Sequence, residues 1–415
     1  MEASLEELAA RITASAKVIS SSSSNSVGSD QPPTAVPESV QRARQDLLYA
    51  SREIQQLVSD PSEYLEQHVV NYQQLACLQW LVHFNIFNEI PLNASIPFTT
   101  VAALAKVPVG RLRSVARMAM TGGILSEPQP EYVAHSRISK DFSERPTLVD
   151  WAVFMTKYSA PTAAKFAQAT ERWGDTSEKN QTAYNVAFNT DLPFFVHLTK
   201  SPERSAEFAG YMRSLGESEG TAFKHILTGF DWGSVGKATL VDVGGSTGQA
   251  SILLAKNYPE LTFLVQDLPD TVANGPAVLS SLDPEIASRL TFTAQDILTP
   301  QPESVATTAD IFFLRKIIHD WPDKDARTIL SHISAALQKP GASIVIMDTI
   351  LPKPGSVSAP EEASLRVRDL TMAQSFNSGE RELGDWVALF ESATPKLKLK
   401  DWKKPWGSVM SVMVV

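Results

Sequence analysis

One cysteine, Cys77, occurs in 415 residues, which excludes a disulfide framework and any zinc–cysteine cluster. It sits in an apolar helical run and reads as a small buried hydrophobe. No window approaches ~18 consecutive apolar residues, so no membrane span is expected. The N-terminal stretch is acidic and has no apolar segment of the kind a secretory signal needs, so a cytoplasmic protein is the expectation. Basic residues are outnumbered, 37 against 46 acidic, for a net charge of -9. That balance disfavours a nucleic-acid partner bound through its phosphates. His68, His83, His135, His197, His225 and His332 lack metal-ligand spacing, and no metal is expected. What is plentiful is apolar character, 43% of the chain, enough for one large or two medium cores.

Met1 to Lys17 carries Leu5, Leu8, Ile12 and Ala16 at helical spacing, which predicts a short amphipathic helix. Ser20 to Ser39 is rich in Ser, Pro and Gly and predicts a linker, so 1–39 reads as a flexible N-terminal segment. Val40 to Val58 and Tyr64 to Phe87 predict two helices. From Phe98 a pair of short helices follows, with Thr99 placed to cap the first, Pro108 to open the second and Gly122-Gly123 to end it. Ile124–Ser126 and Glu131–Ala134 would add a β-wing, making 40–145 a helical, winged-helix-like domain. Arg111, Arg113 and Arg117 cluster on its second helix, which keeps a DNA-binding regulator as a reading of a different class. The acidic balance favours a dimerisation or scaffold role instead. Residues 146–225 read as helical and rich in aromatics. Most of these suit helix cores, while Trp151, Met155, Phe194, Phe195 and Met212 are candidates for the wall of an apolar substrate pocket.

The most informative stretch is ATLVDVGGSTGQASILLAKNYPELTFLVQD, from Ala238 to Asp267. An apolar, β-branched run is followed by Gly244, Gly245 and Gly248, where the backbone can turn sharply and approach a ligand. A helix and a second strand ending in Asp267 complete a nucleotide-binding unit, with the acid placed for ribose hydroxyls. The loop lacks the G-x-G-x-x-G order of a dinucleotide site, and Asp242 just before it would repel a pyrophosphate. An acid there suits the ammonium group of S-adenosylmethionine (SAM). NAD(P) and a structural remnant of the fold stay open on the loop alone.

From Ala238 strands and helices alternate, which predicts a parallel sheet covered on both faces. Strands are expected near 238–243, 261–266, 290–294, 310–315 and 343–348, with an antiparallel hairpin from Lys396–Lys400 and Val409–Val415. Ligands of such sheets lie at the carboxyl ends of the strands. That rule selects Gly244–Gly248, Asp267 with Leu268, Asp296 with Ile297, Arg315–His319 and Asp348. Asp296 and Ile297 would take an adenine, by its amino group and its ring face. His319, in ADIFFLRKIIHDWPD, is a candidate general base, since a neutral imidazole can take a hydroxyl proton near neutral pH. Asp348 and Glu380 are candidates to orient it.

VDVGGSTG, FLVQDLPDTV, AQDI, LRKIIHDWPD, IMDTILP and SGERE together resemble the cation-independent, SAM-dependent O-methyltransferases of plant caffeate/flavonoid type, and above all their fungal secondary-metabolism branch. The resemblance runs from about Tyr64 to Val415. It implies a Rossmann-like α/β methyltransferase domain over 226–415, preceded by a mostly helical winged-helix-like dimerisation domain, and a homodimer. By motif position it implies SAM held by Gly244, Asp267, Leu268, Asp296, Ile297 and Arg315. His319 would be the base, flanked by Asp348 and Glu380, with a phenolic, polyketide or polyketide–nonribosomal acceptor. Three positions depart from the common pattern: Ser246 for a glycine, Arg315 for the lysine of plant members, and Asp348 for a glutamate. The rival within the fold is a SAM-binding pericyclase or dehydratase that moves no methyl. Such enzymes are expected to lose the histidine that this chain keeps.

Overall fold

The computed structural model describes residues 4–25 and 37–415. The chain divides into two compact units, Met1–Ala76 with Pro352–Arg366, and Cys77–Leu351 with Val367–Val415. Hydrogen bonds inside the second unit tie the helices before 226 to the sheet domain: Arg315 on the sheet reaches Thr221 O, and Asn377 reaches Glu178 O and Gln181 O.

In the first unit, the helices Leu5–Asn25 and Glu38–Val58 pack on one another and bury Leu8, Ala43 and Ala50. Arg11 crosses between them to Asp46 at 2.5 Å and Glu53 at 3.3 Å. The first helix runs past Lys17 into the serine run expected to be linker. Ser21 donates to Val18 O at 3.0 Å, a local bond that a helical backbone accommodates. The rest of that expected linker, residues 26–36, lies outside the described residues.

In the second unit, β1 (Ile96–Pro97), β2 (Ser126–Gln129) and β3 (Tyr132–Ala134) form a small antiparallel sheet in the order β1-β3-β2, beside the helices Phe98–Leu104 and Val109–Thr121. Thr99 is not the cap expected: the helix begins one residue earlier, at buried Phe98, whose N–H is taken by Glu131 O at 3.0 Å. Arg113 pairs with Glu131, and Arg117 with Glu127 and Glu131. Two of the three arginines on that helix therefore spend their charge on acids of the wing.

The main sheet contains the parallel strands β4 (Ala238–Val243), β5 (Leu261–Asp267), β6 (Leu290–Ala294), β7 (Ile311–Arg315) and β8 (Ser343–Asp348). Two short strands after it, β9 (Ile350–Leu351) and β10 (Arg381–Glu382), pair in parallel with each other. The antiparallel β11 (Asp401–Lys403) and β12 (Ser411–Val414) complete the sheet in the order β11-β12-β8-β7-β4-β5-β6. The hairpin's first strand is thus shifted from the expected 396–400. Leu397 donates its N–H to Phe390 O and is buried in the core, which removes that segment from the ladder.

Alternate residues of one strand enter opposite cores, the period of two that a sheet covered on both faces requires. Phe312 and Leu314 join Ile344, Ile346, Trp386 and Phe390 on one face. Ile311 and Phe313 join Leu240, Phe263, Val345 and Met347 on the other. Each fully buried aromatic contributes about 2–3 kcal/mol by transfer from water. No helix among the described residues is long and apolar enough to cross a membrane.

Candidate active site

Strand order reverses between β4 and β7: the chain proceeds from β4 through β5 and β6 on one side, then from β7 to β8 on the other. Ligands of open α/β sheets bind at such a switch. Here the switch opens onto the glycine loop and the turn that carries His319. Gly244 has φ +70°, and a Cβ on it would stand 2.5 Å from Ile317 Cδ1, just past β7. At that φ a side chain is strained, and Ile317 would have to shift to admit one. Ser246, also left-handed at φ 51°, donates its N–H to Asp267 Oδ2 at 2.9 Å, while Asp267 Oδ1 accepts from Leu268 N at 2.8 Å. The acid at the tip of β5 is thereby fixed against the loop, with the Leu268 side chain exposed beside it. Asp296 accepts from Leu298 N at 2.9 Å in a turn, and Ile297 packs toward the core.

Asp242 faces away from the role of ammonium partner. It is buried under the loop, accepts from Ser251 Oγ at 2.6 Å, and would meet a Cβ at Gly245 at 2.6 Å. Burial pushes its carboxyl up to about 6, against the Ser251 bond and Arg315. Arg315 donates Nη2 to Thr221 O at 2.6 Å and lies over the Phe223 ring at 4.3 Å. Its desolvation pushes it down to about 10, opposed by Asp242 and Asp348.

His319 sits in the turn Ile318–Asp320 that follows β7, and it is buried. Its Nδ1 is 2.9 Å from Glu380 Oε1 and 3.5 Å from Asp348 Oδ1, and its Nε2 is 3.5 Å from Asp320 Oδ1. Its backbone N–H donates to Asp348 Oδ2 at 3.3 Å, and its carbonyl accepts from Ser378 Oγ at 2.6 Å. The β9–β10 pairing, Arg381 opposite Ile350, is what brings Glu380 beside the end of β8. Arg381 locks the turn by donating to Ile318 O, Trp321 O and Asp323 Oδ1.

The electrostatics differ from the neutral imidazole expected of the sequence. Burial alone lowers His319, but Asp348, Glu380 and Asp320 outweigh it and push the ring up to about 10. The three carboxylates thus favour the imidazolium over the neutral ring in the free protein. Burial raises Asp348 to about 6, opposed by His319, and raises Asp320 as well. Ligand atoms of His319, Asp348 and Glu380 lie within 4.8 Å of one another, a spacing that a small cation also fits.

Among the candidate pocket residues, Phe194 is buried against Tyr184, Phe208 and Phe376, and Phe195 stacks on Phe376 at 5.4 Å while staying exposed on its outer side. Tyr211 stacks on Phe154 at 4.3 Å in the same cluster. The segment from Phe376 to Glu380 runs from this aromatic group to His319. Met155 is partly buried against the helical core that holds Leu81, Ala116 and Ala152. Trp151 and Met212 are half-buried and join neither cluster. Asp320 and Arg368 were not anticipated as site residues, while Lys316 falls inside the selected Arg315–His319 segment. Asp320 was legible as the neighbour of His319 in HDW, whereas Arg368 lies in a helix without any motif.

The O-methyltransferase domain family matches residues 174–394. The chain is 45% identical to the O-methyltransferase VdtC of Byssochlamys spectabilis, over 99% of its own length and 97% of that protein's. It belongs to the fungal secondary-metabolism O-methyltransferases. In fold, the methyltransferase is similar to the crystal structure of OxaC, with a TM-score of 0.79 at 20% identity over 99% of this chain and 98% of that one. It is also similar to a structure described as a pericyclic reaction enzyme, with a TM-score of 0.75 at 22% identity over 97% and 98%. The methyltransferase uses SAM and acts on a small molecule. Its strand-end loop fits that cofactor: the Gly244 cradle is one a Cβ would fill, and Asp267 is fixed at its rim beside exposed Leu268.

Proposed function

We propose that this enzyme methylates a hydroxyl of a small aromatic, polyketide-type metabolite, with His319 as general base. The observation that carries the reading is the 2.9 Å contact between His319 Nδ1 and Glu380 Oε1 at the strand switch. In the neutral ring this contact keeps the proton on Nδ1, toward the carboxylate, so that Nε2 is the nitrogen that accepts. Bound SAM supplies an electrophilic methyl group. Gly244, Asp267, Leu268, Asp296, Ile297 and Arg315 would hold it, and Phe194, Phe195 and Phe376 would flank the acceptor. His319 Nε2 takes the hydroxyl proton, and Asp348 and Glu380 carry the resulting positive charge. Alignment and exclusion of water provide most of the acceleration, with general-base help worth about 10²–10⁴.

A charged His319 in the free protein also suits the rival reading, in which the site acts by electrostatics and no methyl leaves. Methyl-labelled SAM with a panel of phenolic acceptors separates the two. The expected result is a product heavier by one labelled methyl and an equal amount of S-adenosylhomocysteine (SAH). Conversion of acceptor without SAH refutes methyl transfer. Full activity in the presence of a chelator is expected, since no step of the proposed reaction uses a metal.

A homodimer is part of the same proposal. Leu57, Val58, Tyr64, Leu65, Val69 and Tyr72 are exposed on the helices Glu38–Val58 and Pro61–His83, an apolar run that a second copy would cover. Light scattering that gives one chain's mass at micromolar concentration would refute it. The cytoplasm, where SAM is held, is the proposed location.

A further inference from the structure

Two cations beside His319 are not used by the mechanism above. Lys316 follows the last residue of β7 in a left-handed conformation, φ 56°, that a side chain rarely adopts without a local reason. Its N–H is tied to Met347 O at 3.0 Å, so the strained residue is fixed at the mouth of the strand switch. Its ammonium feels Asp320 and Asp348 as well as Arg315 and Arg368. Arg368 lies in the helix Ala359–Phe376, one residue before Asp369, whose Oδ1 accepts from Glu380 N at 3.0 Å. That bond seats Arg368 next to the acid that holds His319, and its guanidinium feels Glu380, Tyr211 and Asp348.

Neither cation is satisfied by the protein. Arg368 Nε is enclosed and has no hydrogen-bond partner among the described residues. No ion pair or side-chain hydrogen bond to Lys316 occurs among them either. Glu380 Oε1 goes to the imidazole and Asp348 to the His319 and Thr349 N–H groups; Glu380 Oε2 is buried without a hydrogen-bond partner among the described residues and forms no ion pair with either cation. Leaving a guanidinium and an ammonium partly buried without partners is costly unless a ligand completes them. Both cations lie within electrostatic reach of Asp348, which accepts from the His319 N–H, and Arg368 also within reach of Tyr211 in the aromatic cluster.

We propose that Lys316 and Arg368 form a receptor for an oxyanion of the acceptor, a carboxylate or carboxylate-like group next to the hydroxyl that is methylated. The inference rests on the methyl-transfer reading and narrows its substrate to acidic hydroxyarenes. A planar guanidinium suits two oxygens of one group, and the ammonium adds a point charge.

The test is equilibrium binding to the SAH complex of three probes: 1-hydroxy-2-naphthoic acid, its methyl ester and 1-naphthol. Fluorescence titration of wild type is expected to give at least ~30-fold tighter binding of the acid than of the other two. Arg368→Met and Lys316→Met should each erase most of that preference, leave 1-naphthol within ~threefold, and keep SAH affinity, which also shows that they fold. Arg368→Lys should restore part of it. Equal binding of acid and 1-naphthol, absence of binding by the acid, or variants that weaken all three probes alike would each overturn the receptor. Product formation is scored separately. A preference for the acid with no O-methylated product from any probe removes the methyl-transfer reading and leaves the receptor standing. Methylated naphthol with no preference does the reverse.

Discussion

Replacing Glu380 by glutamine removes one of three carboxylates that keep His319 charged, while retaining a side chain of the same shape. Glu380 Oε1 is 2.9 Å from Nδ1. For charge centres ~4 Å apart and an effective dielectric of ~20, the pair interacts by about 4 kcal/mol, or about 3 pH units. Asp348 and Asp320, at 3.5 Å, remain. His319 is pushed up to about 10 in the native site, and only its neutral form can accept a proton. The rate at low acceptor concentration, kcat/KM, should therefore rise with pH through that value in wild type. In Glu380→Gln the rising limb should move about 2–3 units toward acid, with a lower plateau because the ring is less well held. The measurement is kcat/KM between pH 6 and 10.5 at saturating SAM. A limb that does not move would refute the assignment of Glu380 as the partner that charges His319. The sign also fixes a stability effect. A histidine raised by ion pairing contributes stability that is complete below about pH 6.5 and lost as pH rises through about 10. In the variant that loss should be complete at lower pH.

Asp267→Ala removes the acceptor of the Ser246 and Leu268 N–H groups; calorimetry should show SAM binding weakened about 10- to 100-fold, and unchanged affinity would contradict the cofactor site. Phe194→Ala empties a buried ring position between Tyr184 and Phe376. The loss of stability in urea should be about 3–5 kcal/mol, and a loss under about 1 kcal/mol would mean that the cluster collapses to fill the gap.

The sheet was legible because buried parallel strands leave a plain mark. Ala238–Val243 and Ser343–Asp348 are short, β-branched and flanked by turn residues, and both form as strands. The Lys396–Lys400 strand misled for the opposite reason. Its alternating Leu397 and Leu399 fit a strand pattern, but they serve a helix-covered core. Within the site, Gly244 and Asp267 could be reached from local spacing. Glu380 could be named as a candidate acid, but its contact with His319 was not readable from spacing, because 61 residues separate the two and the β9–β10 pairing closes the distance. The protonation of His319 was invisible for a deeper reason: it depends on three carboxylates converging from β8, β10's approach and its own turn.

The base assignment is tested most directly by His319→Gln and His319→Ala, assayed side by side for SAM affinity and for turnover of a methylated acceptor. His319 touches none of the loop contacts that fix Asp267 and Gly244. Both variants should bind SAM within about twofold of wild type, while kcat falls by about 10²–10⁴. Retained turnover with intact cofactor binding would contradict the account: the methyl would then move without the histidine, and the cluster around it would serve another purpose.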